Sequence, residues 1–167
     1  MTIALAAGAR VTADPESGAM EAALKMLGAG PKTRSDLLRR LVARGHDIHD
    51  ASGCLDRLEQ MGYIDDESFS ERWVESRQQR TPSGKIVLRQ HLLRKGVPRE
   101  IVERVLEKSV EEESAAASAA CTYLGRAGRL AERDAISGKL AAHLRSRGFE
   151  YDIITKTVRS FLETEPE

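Results

Sequence analysis

Apolar residues recur along this chain at helical spacing, and the polar stretches between them carry stop and start signals. Ala23, Met26 and Leu27 define a first helix over residues 19–29, stopped by Gly28, Gly30 and Pro31. Thr33 stands three residues before Asp36, a capping-box spacing that opens a second helix. Leu37, Leu38 and Leu41 share one face of that helix, which Gly45 closes. Asp47 caps a third, in which Ile48, Ala51, Leu55 and Leu58 fall at i, i+3, i+7 and i+10. It ends near Met61 and Gly62.

The series then restarts. Asp66 is read as the cap of the next helix, with Glu67 in its first turn facing the positive end of the dipole. Phe69, Trp73 and Ser76 form its apolar-facing side, with Val74 beside it. Thr81-Pro82-Ser83-Gly84 breaks the chain, and Lys85 to Lys95 form the following helix, closed by Gly96. Pro98 stands where a first-turn proline is tolerated, ahead of Ile101, Val102, Val105 and Leu106. A third round opens at Glu111-Glu112-Glu113 with a helix holding Ala116, Ala120, Tyr123 and Leu124. A glycine-rich break, GRAGRLA, precedes a helix from Asp134 to Arg147, ended by Gly148. Ile153, Ile154, Thr157, Val158, Phe161 and Leu162 form the last amphipathic helix, and the final ETEPE is expected to fray.

One pattern ends every middle helix: Leu, three residues, Leu, two residues, a basic residue, Gly. It is Leu37, Leu41, Arg44, Gly45, then Leu88, Leu92, Lys95, Gly96, then Leu140, Leu144, Arg147, Gly148. The physical sense is a buried i, i+4 Leu pair, a cation at the negative end of the dipole and a glycine able to turn left-handed. Three occurrences in phase predict tandem three-helix modules. The expected fold is all-α: three tri-helical repeats in an elongated, curved arrangement, with modules at 19–65, 66–110 and 111–163. Residues 1–18 lack periodicity and are expected to be a disordered tail.

Composition agrees. Charged residues make up 31% and aromatics only 4% of 167 residues, a mix suited to helices. Two cysteines, Cys54 and Cys121, form no CxxC pair, so both are expected as packed thiols in a reducing cytoplasm. No apolar run reaches the ~20 residues needed to cross a bilayer. The apolar start lacks the basic leader of a secretory signal. No exposed heptad seam is evident, and a monomer without membrane contact is expected.

The net charge of zero argues against a protein that coats nucleic acid wholesale. The charge is nevertheless uneven. Arg72, Arg77, Arg80, Lys85, Arg89, Arg94, Lys95, Arg99 and Arg104 are opposed between Arg72 and Arg104 only by Glu75, Glu100 and Glu103. Arg94 and Lys95 also serve a helix C-terminus. For Arg72, Arg77, Arg80, Lys85 and Arg89 the helix dipole is less readily invoked, and the pairs Arg77/Arg80 and Lys85/Arg89 flank one break. Together these seven are the candidate nucleic-acid or partner-binding residues. Backbone contact is expected, because stacking aromatics and a base-reading Asn/Gln helix are missing. The one alternative recognition helix is SGKIVLRQHLLRKG, with Arg89, Gln90 and His91.

Catalytic chemistry finds no support. Asp65 and Asp66 are better read as a helix cap than as a metal or acid–base pair. His46 and His49, with Asp47 and Asp50, lack a further ligand for a metal site. His91 and His143 hold equivalent repeat positions, which speaks for a structural role. Ser83-Gly84-Lys85 lacks the rest of a phosphate loop, and no nucleophile motif occurs. No enzyme activity, metal or cofactor is expected.

The run Gly62-Tyr63-Ile64-Asp65-Asp66, then Phe69, Trp73-Val74, Arg77, Gly84, Leu88, Leu92 and Lys95-Gly96-Val97, resembles the signature of the bacterial RecX regulatory proteins. LLRRLVARG upstream and LRSRGFEYDIITKTV downstream resemble that family's first and last units, so the resemblance covers about residues 20–163. It implies three tandem three-helix modules. It also implies binding to the RecA recombinase filament, in its groove, with inhibition of strand exchange, ATP hydrolysis and co-protease activity. Family members also bind DNA, single- or double-stranded, and no catalytic residues carry over. A helix-turn-helix-like DNA regulator and a protein-binding helical scaffold are the competing functions.

Overall fold

The computed structural model describes residues 15–127 and 133–163. These form nine α-helices, and no strand occurs among the described residues. They are α1 (Pro15–Gly28), α2 (Arg34–Val42), α3 (Ile48–Gln60), α4 (Asp66–Arg80), α5 (Lys85–Arg94), α6 (Arg99–Ser109), α7 (Glu112–Ala127), α8 (Arg133–Ser146) and α9 (Tyr151–Glu163). The chain divides into two compact units, one ending at Ile64 and one starting at Asp65. The expected tail over residues 1–14, most of the GRAGRLA break and the last four residues lie outside the described residues. α1 begins at Pro15, four residues ahead of the expected start of the first helix.

In the first unit α1, α2 and α3 pack on one another around Ala19, Ala23, Met26, Leu37, Leu41, Ala51, Cys54, Leu55 and Leu58. Thr33 Oγ1 accepts the Asp36 N–H, as the capping spacing predicts, and Asp47 caps α3. Ile48 departs from expectation: it is 54% exposed. It is the first residue of α3, a turn before the part that α1 and α2 cover.

The second unit holds two apolar clusters. Val74, Leu88, Leu92, Val97, Val102, Val105 and Leu106 join α4 and α5 to α6, with Phe69 and Trp73 packed at the edge. Ala116, Ala119, Ala120, Leu140, Leu144, Phe149 and Ile154 join α7, α8 and α9. Small residues on α7 leave Cys121 off its buried face, so this thiol is exposed rather than packed. Cys54 is buried as expected.

The repeated Leu-Leu-basic-Gly pattern closes its helices by one geometry. Gly45, Gly96 and Gly148 have φ of 89°, 78° and 78°. The residue after each donates its N–H to the carbonyl of the second Leu: His46 to Leu41, Val97 to Leu92 and Phe149 to Leu144, at 3.2, 3.2 and 3.3 Å. Six Leu of the pattern are fully or almost fully buried. Sequence periodicity therefore marks a structural joint used three times.

Two caps differ from expectation. Asp65, not Asp66, caps α4. Its Oδ1 accepts the N–H groups of Glu67 and Ser68 at 3.0 and 2.9 Å, and its Oδ2 accepts the Ser68 hydroxyl at 2.7 Å. Those bonds, led by the Ser68 hydroxyl, hold the Asp65 carboxyl below its ordinary range. Asp66 is instead the first residue of the helix and buried. Pro98 likewise sits at the cap of α6, one place earlier than expected.

Candidate nucleic-acid interface on the second repeat

The Thr-Pro-Ser-Gly break is folded into a rigid link. The Gln78 side chain clamps Ser83, accepting its N–H at 2.8 Å and donating to its carbonyl at 2.9 Å. Gly84 caps α5 without any side-chain bond. Its N–H donates to the Arg147 carbonyl at 2.9 Å, and the Ile86 N–H to the Gly148 carbonyl at 3.3 Å. The Lys85 N–H donates to Glu112 Oε1 at 3.0 Å. A Cβ on Gly84 would lie 2.1 Å from the Gly148 carbonyl oxygen, so only glycine allows this backbone approach. The start of α5 is thus docked on the closing turn of α8.

This docking separates the seven candidate cations. Arg89 turns toward α6, where Nε and Nη2 donate to Glu103 Oε1 and Oε2 at 2.7 and 2.8 Å. Glu112 and Glu150 add their negative charge on that side. Arg89 is thereby held in a bidentate ion pair, and Lys85 starts the helix beside Glu112. Arg104 and Lys108 of α6 pair in turn with Glu67 and Glu71 of α4.

Arg77, Arg94 and Lys95 come together on the other side, around His91. Partial burial first, then the charges of Arg94, Arg77 and Lys95, push the His91 imidazole below its ordinary value. Trp73 meets the His91 ring edge-on at 5.6 Å between centroids. The Lys95 ammonium lies 5.7 Å from the centre of the Phe69 ring. Arg77 Nε and His91 Nδ1 are buried and make no hydrogen bond among the described residues, a cost normally relieved by a partner. Arg80, one turn beyond Arg77 on α4, donates to the Ser76 carbonyl and hydroxyl at 3.2 and 3.0 Å. Arg72 donates to the Ser68 carbonyl at 3.1 Å and Arg94 to the Gln90 carbonyl at 3.4 Å. None of Arg72, Arg77, Arg80 and Arg94 makes an ion pair with a carboxylate among the described residues.

Arg77, Arg94 and Lys95 thus form a cationic cluster against the Phe69, Trp73 and His91 rings. No group of three or more metal-ligating side chains occurs among the described residues. No helix among them is long and apolar enough to cross a membrane. His91, which the sequence presents both as a structural repeat position and as part of the alternative recognition helix, lies among Arg77, Arg94 and Lys95.

Comparison with known proteins covers the same segment of the chain. Residues 65–106, which carry α4, α5 and most of α6, match the family model described as RecX, second three-helix domain. A "Regulatory protein RecX" of Mycobacterium leprae is 35% identical over 158 residues, covering 92% of this chain and 91% of its own. Another of that name, from Pelodictyon phaeoclathratiforme, is 32% identical over 142 residues, covering 85% and 88%. The crystal structure of RecX from Lactobacillus salivarius superposes with a TM-score of 0.78 at 23% identity, over 88% of this chain and 96% of that one. The all-α tri-helical repeat architecture is shared with that structure. With relatives this similar along nearly their whole length, the chain belongs to the RecX family of regulatory proteins.

Proposed function

We propose that this chain is a regulator without catalysis of its own that binds RecA nucleoprotein filaments and lowers their ATPase, strand-exchange and co-protease activities. Residues 19–65, 66–110 and 111–163 are taken as its three working modules. Direct DNA contact is assigned to the middle one, through Arg72, Arg77, Arg80, Arg94 and Lys95. Family membership supports the regulatory role. The observation that carries the DNA contact is the gathering of Arg77, Arg94 and Lys95 around two buried nitrogen atoms that lack partners. A phosphate seated beside Arg94 and Lys95, both exposed, would relieve the crowding of like charge around His91. Arg89 is given a structural role, because its guanidinium is already satisfied by Glu103.

The test is a titration of RecA ATPase on single-stranded DNA with the wild-type chain and with Arg77→Glu/Arg94→Glu/Lys95→Glu. Wild type is expected to suppress hydrolysis, and the triple variant to suppress it less. An ATPase untouched across a wide range of ratios refutes the filament reading. In parallel, binding to an oligothymidylate should weaken with salt. Five contacts by Arg72, Arg77, Arg80, Arg94 and Lys95 predict a log–log slope of about −3.5, at ~0.7 for each single-strand phosphate.

A further inference from the structure

Beyond Arg77 the cationic line continues along α4 into a cleft against the third repeat. Arg80 lines one wall of this cleft of about 210 Å³, and Ser118, Tyr123, His143 and Arg147 line the other. No acidic side chain is among its lining residues. The volume is below the roughly 300–1,000 Å³ of sites that enclose a drug-sized ligand, and suits a single small anionic group. The Arg147 carbonyl accepts from Gly84, but its guanidinium makes no ion pair among the described residues. Ser118 adds a hydroxyl. Tyr123 and His143 stack with centroids 4.6 Å apart and rings 25° from parallel.

The cleft repeats the chemistry of the second repeat. There Trp73 meets His91, with Lys95 four residues on. Here Tyr123 meets His143, with Arg147 four residues on. In each case an aromatic ring on the first helix of a repeat meets a histidine on the second, and a cation follows one turn later. Arg77 and Arg80 link the two places along one face of α4, about 4.5 Å apart along the axis.

We propose that this cleft seats a backbone phosphodiester of a single nucleic-acid strand running along α4, with Arg80 and Arg147 as its charge partners. The third repeat, with eight acidic and eight basic residues over 111–163, thereby contributes a cationic side chain to the strand. The proposal rests on the DNA contact assigned above to the second repeat, and adds a phosphate position that no residue of the second repeat provides alone. Continuity with the Arg77 cluster favours a polymer over an isolated anion, since one small anion would occupy one cleft and leave the other empty.

The test uses the full chain and proton NMR of its four histidines, the His143 signal being assigned with His143→Gln. Oligothymidylate is expected to shift the His143 signal and raise its titration midpoint. Arg147→Gln is expected to remove that shift and to weaken binding about fivefold at 0.1 M salt, with the salt slope about 0.7 shallower. If the oligonucleotide binds, moves His91 and leaves both His143 and the Arg147→Gln affinity unchanged, the cleft is refuted and the second-repeat contact stands. If no binding occurs even at low salt, both fail. If inorganic phosphate at equal concentration shifts His143 as much as the oligonucleotide does, the cleft is a free-anion site and the strand assignment is overturned. The His143 shift is read in wild type, and far-ultraviolet circular dichroism verifies that His143→Gln and Arg147→Gln keep the fold.

Discussion

Replacing Gly84 by Ala puts one methyl group where the second and third repeats touch backbone to backbone. The new Cβ would lie 2.1 Å from the Gly148 carbonyl oxygen, 2.4 Å from its carbon and 2.5 Å from the Phe149 nitrogen. All three are main-chain atoms, so no side chain can rotate away. Restoring an ordinary contact of 3.4 Å requires the two segments to part by roughly 1.3 Å. That movement breaks the Gly84 N–H bond to Arg147 and the Ile86 N–H bond to Gly148. Two lost bonds cost about 1 kcal/mol each, and a buried group left unsatisfied adds about 1 kcal/mol or more. A total near 3 kcal/mol corresponds to about 150-fold in the folding equilibrium and to a Tm lower by about 6–12 °C. Urea and thermal unfolding followed by far-ultraviolet circular dichroism measure it. Gly138→Ala is the control: Gly138 is an exposed helical residue of α8 with no atom in the way of a Cβ. That change is expected to stabilise by up to about 1 kcal/mol through helix propensity. If Gly84→Ala is as stable as wild type, the backbone-contact account of the joint is wrong.

Other consequences follow from single contacts. Asp65→Ala removes the cap of α4 and should cost about 1 kcal/mol in denaturant unfolding. Equal stability of the variant would return the cap to Asp66. The Arg89 guanidinium holds the Glu103 carboxyl below its ordinary value of 4.5. The pair's contribution is therefore complete above that value and lost as pH falls through the lowered one. Arg89→Gln should flatten this acid limb and cost about 1 kcal/mol or less at neutral pH, because both partners are partly exposed. His91 is held below its ordinary value of 6.5, so the unfolded chain takes up its proton first. Stability should decline as pH falls below that value toward the lowered one, and His91→Gln should remove that part of the decline in a pH series of unfolding midpoints.

Much of the architecture was legible in the order of residues. The motif ending in Gly45, Gly96 and Gly148 announces a left-handed turn after a buried Leu pair, and the backbone uses it three times in one way. Local rules fix such a feature, because every group involved lies within ten residues, from Leu37 to His46 in the first repeat. The misreadings were also local in origin. Asp65 and Asp66 are chemically alike, and only the Ser68 hydroxyl, three residues on, selects Asp65. Ile48 and Cys121 sit on helices of the right period, but a helix has more apolar positions than its neighbours have room to cover.

The candidate site was legible as charge and illegible as geometry. The sequence singles out the cations between Arg72 and Lys95 and joins Arg77/Arg80 with Lys85/Arg89 across the break. Folding sends Arg89 to Glu103, fourteen residues away, and brings Arg77 to His91, Arg94 and Lys95. Gly84 looked like a helix breaker, and its meaning depends on Gly148, sixty-four residues later. The succession of helices and their closing turns were thus determined by the sequence itself, because hydrogen bonds and dipoles act over single turns. Which arginines are held by a carboxylate among the described residues, as Arg89 is by Glu103, was decided by the tertiary structure. Ion pairing depends on distances between helices, and the packing of α4 and α5 on α6, and of α5 on the turn after α8, sets those distances.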